Sequence, residues 1–186
     1  MKKTIATSIV PVLLFVYLGL AAYAISAQRI EQLLICADNG GLKIPFSKKL
    51  CREYLFSFRG SQEDIDTLEH GIGALFVVQG KASAAERSEL LKFLVGKGLD
   101  VNRSGVNHLP PLHGAALANS ADEVQMLLDN GANPSLKDDG FGLTPLEFVL
   151  ELQSKEKSKT DRTAVITLLT NAQPGISPDP ARKVAP

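Results

Sequence analysis

A chain of 186 residues with 20 Lys and Arg against 20 Asp and Glu has room for one ordinary domain plus an anchor or tail. Its zero net charge and lack of a basic stripe argue against a nucleic-acid binder, which must neutralise phosphates. Aromatics make up 6% of the chain and Trp is absent, so the core must come from Leu, Val, Ile and Ala, a composition suited to helices rather than a β sandwich.

After Met1, Lys2 and Lys3 the chain carries no charge from Thr4 to Gln28. About 20 apolar residues span the hydrocarbon core of a bilayer as a helix. A terminal segment apolar on every side does not fit a buried core helix. Two readings stay open. One is an uncleaved transmembrane anchor; the other is a signal peptide cut after Ala22-Tyr23-Ala24 or Ile25-Ser26-Ala27. The run exceeds the roughly 7–15 residues of a signal h-region, which favours the anchor. Pro11 could kink the helix without forbidding insertion. Lys2 and Lys3 bias the N-terminus to the cytoplasm, although Arg29 and later lysines weaken the asymmetry. The start resembles a bacterial export signal. It implies a single-pass inner-membrane protein with its body in the periplasm, or a soluble periplasmic protein if the segment is cut.

Next come Cys36 and Cys51, bracketing a loop with a Gly-Gly turn and a proline. In an oxidising compartment such a pair favours a bridge, which would gain roughly 3 kcal/mol in the chain-entropy model. A metal site or a redox pair are the alternatives. His70, His108 and His113 are distant in sequence, and no Cys-x-x-Cys occurs.

From about Ser83 the chain becomes self-similar. Pro111 and Pro145 lie 34 positions apart, and Gly98 and Gly131 lie 33 apart. Between them a turn leads into Pro-Leu and a short small-residue helix, and a second helix then ends before a glycine. Proline fits the first turn of a helix, where its missing N–H has no partner to lose. Thr144 is placed to cap the helix that Pro145 opens. Ala115, Ala116 and Ala118 are small enough for neighbouring helices to approach. Gly98 and Gly131 supply the left-handed backbone at a helix C-terminus.

The pattern resembles the ankyrin repeat. Asp139, Gly142, Thr144, Pro145 and Leu146 match the family's Asp-x-x-Gly-x-Thr-Pro-Leu, and Pro111 to Ala116 match its Pro-Leu-His-x-Ala-Ala, with His113 at the histidine position. The resemblance implies an all-α solenoid over Ser83 to Ala172. There are departures. Pro110 replaces the family threonine, Asn119-Ser120 stands where Gly-His is usual, and Glu147 replaces the histidine. The charged run Gln153 to Asp161 lengthens the first helix of its repeat or the loop after it. A divergent earlier repeat is expected to begin near Asp66, where Thr67-Leu68-Glu69 echoes Thr144-Pro145-Leu146-Glu147. About three repeats are needed to bury a core, and this one completes the set.

The expected organisation is an anchor or signal at 1–28, a disulfide-pinned helical cap at 29–65 and ankyrin repeats at 66–172. The repeats divide as 66–102, 103–137 and 138–172, and a proline-rich disordered tail occupies 173–186.

A search for chemistry turns up little. At its place in the ankyrin pattern, His113 reads as a residue that ties the turn together through hydrogen bonds. His70 and His108 have no Ser or Cys partner at a recognisable spacing. Asp129 to Gly140 lacks the spacing and closing glutamate of a calcium loop, and no phosphate-binding glycine loop occurs. The reading is therefore of a protein without catalytic residues, metal, cofactor or small-molecule substrate.

What the resemblance implies instead is a protein partner bound by loop tips and inner helices. The candidate contacts are Val106, Asn107 and Leu109 in one finger and Gly140, Phe141 and Leu143 in the next, with Leu117 and Glu151 on the inner helices. Phe141 and Leu109 either anchor a partner or staple their loops. The function expected is an immunity or inhibitor protein that neutralises a toxic effector. A scaffold or accessory subunit of an envelope enzyme or complex is the alternative.

Overall fold

The computed structural model describes residues 2–38, 46–71, 73–105, 108–155 and 160–173. Helix is the only regular element among them. Two compact units emerge, 1–60 and 61–186.

In the first unit, α1 (Lys2–Ser26) runs unbroken past Pro11. Large side chains from Val10 to Leu20 stand exposed, whereas Ala21 and Ile25 are buried. The chain turns at 27–29, where the Gln28 carbonyl accepts a hydrogen bond from the Arg59 guanidinium at 2.8 Å. The α2 helix (Ile30–Asp38) then packs against α3 (Ser47–Phe58), burying Ile30, Leu33, Leu34 and Leu55. Each fully buried Leu is worth about 1.5–3 kcal/mol against exposure. A disulfide joins Cys36 of α2 to Cys51 of α3, with Cα atoms 5.9 Å apart, and both cysteines are buried. No single helix among the described residues is long and apolar enough to cross a membrane. Val10–Ser26 and Ile30–Asp38 would qualify only as a pair, and they are bent by 119°.

The second unit is a stack of helical hairpins. It opens with α4 (Gln62–His70), started by a reciprocal capping box between Ser61 and Asp64. Three hairpins follow. The first pairs α5 (Gly73–Val78) with α6 (Ala84–Gly96), and the second pairs α7 (Pro111–Leu117) with α8 (Ala121–Asp129). The third pairs α9 (Pro145–Lys155) with α10 (Thr163–Ala172). The short helices α5, α7 and α9 lie side by side, α7 in the middle, and α8 packs on α10.

Small residues set the spacing. A Cβ on Gly114 would lie 2.5 Å from Leu75 Cδ2, so the absent side chain is what lets α5 approach α7. Ala115 and Ala116 are fully buried beside it. Ala118, expected to share that role, is exposed at the helix end. Gly98 and Gly131 have φ of 109° and 91°, and Leu99 and Ala132 donate back to Leu94 and Leu127 to close the preceding helices. Asn119, standing where glycine is usual, adopts the same hand with φ 55°.

Two sequence expectations need correction in detail, and a third is decided between its alternatives. Thr67-Leu68-Glu69 does not open a helix but lies within α4, because the Ser61 box starts that helix a turn earlier. The first hairpin therefore begins at Gly73. Of the two readings of the charged run, the structure takes the first as far as it is described, with Gln153 to Lys155 lengthening α9, while 156–159 lie outside the described residues. Gln173 is buried and donates to the Pro134 carbonyl at 3.0 Å, so it belongs to the stack and not to the tail. The rest of the tail, 174–186, lies outside the described residues.

Candidate protein-binding surface

The loops between hairpins are tied by a repeated side-chain-to-backbone bond. Asn102 Oδ1 accepts from the Asn133 N–H at 2.7 Å, and its amide donates to the Gly131 carbonyl at 3.3 Å. One repeat earlier, Glu69 Oε1 accepts from the Asp100 N–H at 2.9 Å, and Glu69 also pairs with Arg103 at 2.6 Å. Glu69, at the end of α4, thus does for the first hairpin what Asn102 does for the second. At this end of the second unit, α4 packs on α5.

The finger between α8 and α9 is organised by Asp138. Its buried carboxylate accepts from the N–H groups of Gly140 at 2.9 Å, Phe141 at 2.7 Å and Leu143 at 3.0 Å. Burial opposes its charge, but those three N–H groups outweigh burial, and the carboxyl is held below its usual range. The family pattern points to the neighbouring Asp139, which is exposed here. Its partner across the repeat is His113 on α7, fully buried, whose Nε2–H donates to the Leu143 carbonyl at 2.9 Å. That carbonyl also receives the Asp138 N–H at 3.0 Å. Burial lowers the imidazole's pKa, against smaller upward pulls from the Leu143 carbonyl and Asp138. The ring is thus a neutral donor that clamps the next finger.

Aromatic contacts extend this clamp outward. Phe148 on α9 meets His113 edge-on at 5.9 Å between centroids and Phe141 at 6.2 Å. Phe141 nevertheless remains 74% exposed, and a cleft lined by Phe141, Phe148, Glu151 and Leu152 opens beside it. The structure therefore brings Phe141 and Glu151 to one cleft, while Gly140 and Leu143 share with Phe141 the turn that Asp138 gathers. Leu117 is exposed at the end of α7, and Leu109 is half-buried just before it. Val106 and Asn107 lie outside the described residues.

At the helix starts, Thr144 and Glu147 form a reciprocal capping box, with Thr144 N–H to Glu147 Oε2 at 2.9 Å and Glu147 N–H to Thr144 Oγ1 at 3.3 Å. Pro110 gives α7 no side-chain cap. At the other end of α7, buried Arg162 donates to the Ala116 and Leu117 carbonyls at 3.3 and 3.4 Å. A cation at a helix C-terminus is favourable. Sequence reasoning missed Asp138 and Arg162; the first is one position from the motif aspartate and the second reaches over 45 residues. Among the described residues no cluster of three or more His, Cys, Asp or Glu is placed to hold a metal.

The ankyrin-repeat family model matches residues 107–139, which covers α7, α8 and the loop that leads into the Asp138 finger. Ankyrin repeats are generally protein–protein interaction modules and typically non-catalytic. The chain is also 36% identical over 88 residues to the E3 ubiquitin-protein ligase hecd-1 of Caenorhabditis elegans, an alignment covering 47% of this chain. It spans 3% of that relative's length, so the likeness concerns one region of a much larger protein.

Proposed function

We propose that this protein is a membrane-anchored, non-enzymatic binding module of the periplasmic side of the inner membrane, and that its partner is a toxic effector which it neutralises. The observation that carries the binding part is the last finger. Phe141, a large apolar side chain, is held 74% exposed by a rigid turn that spends Asp138, His113 and Phe148 on its support. An exposed aromatic on a preorganised loop is a typical energetic centre of an interface. The anchor is supported by the charge-free run that α1 contains and by its exposed apolar side chains. The Cys36–Cys51 bridge suits an oxidising compartment.

The test is affinity capture with the full-length protein in detergent, followed by mass spectrometry. Recovery of one toxin-like enzyme whose activity falls when the protein is added supports the inhibitor reading. Recovery of a resident envelope complex, with no activity suppressed, replaces it with a scaffold.

A further inference from the structure

The first unit carries a second surface, remote from the fingers in sequence. The C-terminal third of α1 and one flank of α3 enclose a groove of about 540 Å³, lined on the α1 side by Leu18, Ala22 and Tyr23 and on the α3 side by Leu50, Tyr54 and Phe58, with Glu53 the one charged residue on its wall. Its rim is unusually apolar for a surface feature. Phe58 is 74% exposed and Tyr23 is 73% exposed. Tyr54 and Phe58 stack at 5.2 Å, so the aromatic flank is preorganised.

The opposite flank of α3 carries Lys48, Lys49 and Arg52. Cys51 and Leu55 between the two flanks are buried against α2, and the disulfide fixes the rotation of α3 about its axis. The helix therefore has an apolar wing and a basic wing at fixed angles.

What covers the apolar wing is indicated by what it adjoins. The groove continues directly into the surface of α1, where Leu13, Leu14, Phe15 and Leu18 are exposed by 48–76%. A bilayer offers those side chains an apolar solvent. Tyr and Phe rings with Ser26 and Ser57 beside them are the chemistry of the headgroup–acyl boundary, where amphipathic rings concentrate. The turn at 27–29 bends the following helix by 119° from α1, so the chain stops running along the α1 axis where the aromatic residues gather.

We infer that α3 lies in the membrane interface, its Leu50, Tyr54 and Phe58 flank covered by lipid at the outer end of α1 and its basic flank facing anionic headgroups. The inference rests on the reading of α1 as a membrane anchor. It makes the disulfide-linked α2–α3 hairpin part of the anchor.

Because the chain has no Trp, single substitutions report one place at a time. Phe58→Trp, Phe15→Trp and Phe141→Trp are each prepared in the full-length protein and reconstituted in phosphatidylcholine–phosphatidylglycerol vesicles. Matched vesicles carry bromine near the glycerol end or near the methyl end of the acyl chains. Phe58→Trp is expected to emit to the blue of Phe141→Trp and to lose most intensity to bromine near the glycerol end. Tyr54→Trp is a second reporter on the same flank and should behave alike. Phe58→Trp and Tyr54→Trp emitting as in water, unquenched by either lipid, overturns the inference. Phe15→Trp tests the underlying anchor separately: quenching by bromine near the methyl end supports it, and no quenching removes it.

Discussion

The second and third hairpins of the stack start from nearly the same residues and use them for opposite purposes. In the second, Pro110 leaves α7 without a side-chain cap, and His113 reaches forward to hold the Leu143 carbonyl of the next finger. In the third, Glu147 occupies the histidine's position and turns back to cap its own helix through Thr144. A middle repeat can draw stability from a neighbour on each side. The last described hairpin has its neighbour on one side, and it invests in its own N-terminus instead. The same sequence position thus serves the neighbour in one repeat and the repeat itself in the other.

The difference can be broken or sharpened by substitution. His113→Ala should cost the most, about 2–3 kcal/mol in urea unfolding, since it leaves a cavity and removes a buried donor from the finger. A cost below that of a lost helix cap would mean that the clamp does not hold the finger.

Acidification should reach the same pair in two stages. Folded His113 has its pKa below 6.5, so the unfolded chain binds the extra proton first. Stability is therefore full above pH 6.5 and falls as the pH drops from there through the folded value. Folded Asp138 has its pKa below 3.8, and its contribution, complete above pH 3.8, is lost as the pH falls further through the folded value. Each limb has a slope of at most about 1.4 kcal/mol per pH unit. His113→Gln should flatten the first limb and keep the second; an unchanged first limb would assign it to another group.

Glu147→Ala should cost less than His113→Ala, about 1 kcal/mol, because it removes one capping box from an exposed helix start. Equal costs for the two would erase the contrast between the repeats. Smallest of all is Asn119→Gly. Asn119 already sits at φ 55°, where glycine is strain-free, but its amide holds the Asp161 carbonyl at 2.9 Å. The two effects oppose each other, and the net change should stay within about 0.5 kcal/mol.

Much of this architecture is legible in the chain. The spacing of Pro111 and Pro145 and of Gly98 and Gly131 encodes hairpins at a fixed period, because backbone conformation at these positions is set locally. The echo at Thr67-Leu68-Glu69 misled for the same reason. A three-residue likeness carries no information about the stronger capping box at Ser61, which sets where α4 begins. Glu69 matters there through its bond to the Asp100 backbone, a contact that only packing reveals.

The finger was legible in outline. Its glycines and the Thr-Pro pair mark the turn, but the carboxylate that gathers the N–H groups is Asp138, and nothing in the sequence separates it from exposed Asp139. Arg162 was illegible altogether, since a charged residue beside a polar insertion reads as solvated until it is seen buried against the end of α7. The exposure of Phe141 is likewise a property of the folded finger.

The measurement closest to the central claim is partner binding by the double variant Phe141→Ala with Leu109→Ala, read alongside thermal unfolding. Phe141 is mostly exposed and Leu109 only half-buried, so the thermal midpoint should stay within a few degrees of the parent. Binding of the captured partner should be lost, as expected when an interface loses its anchors. Undiminished binding by a folded double variant would contradict the account and move the interface off the fingers.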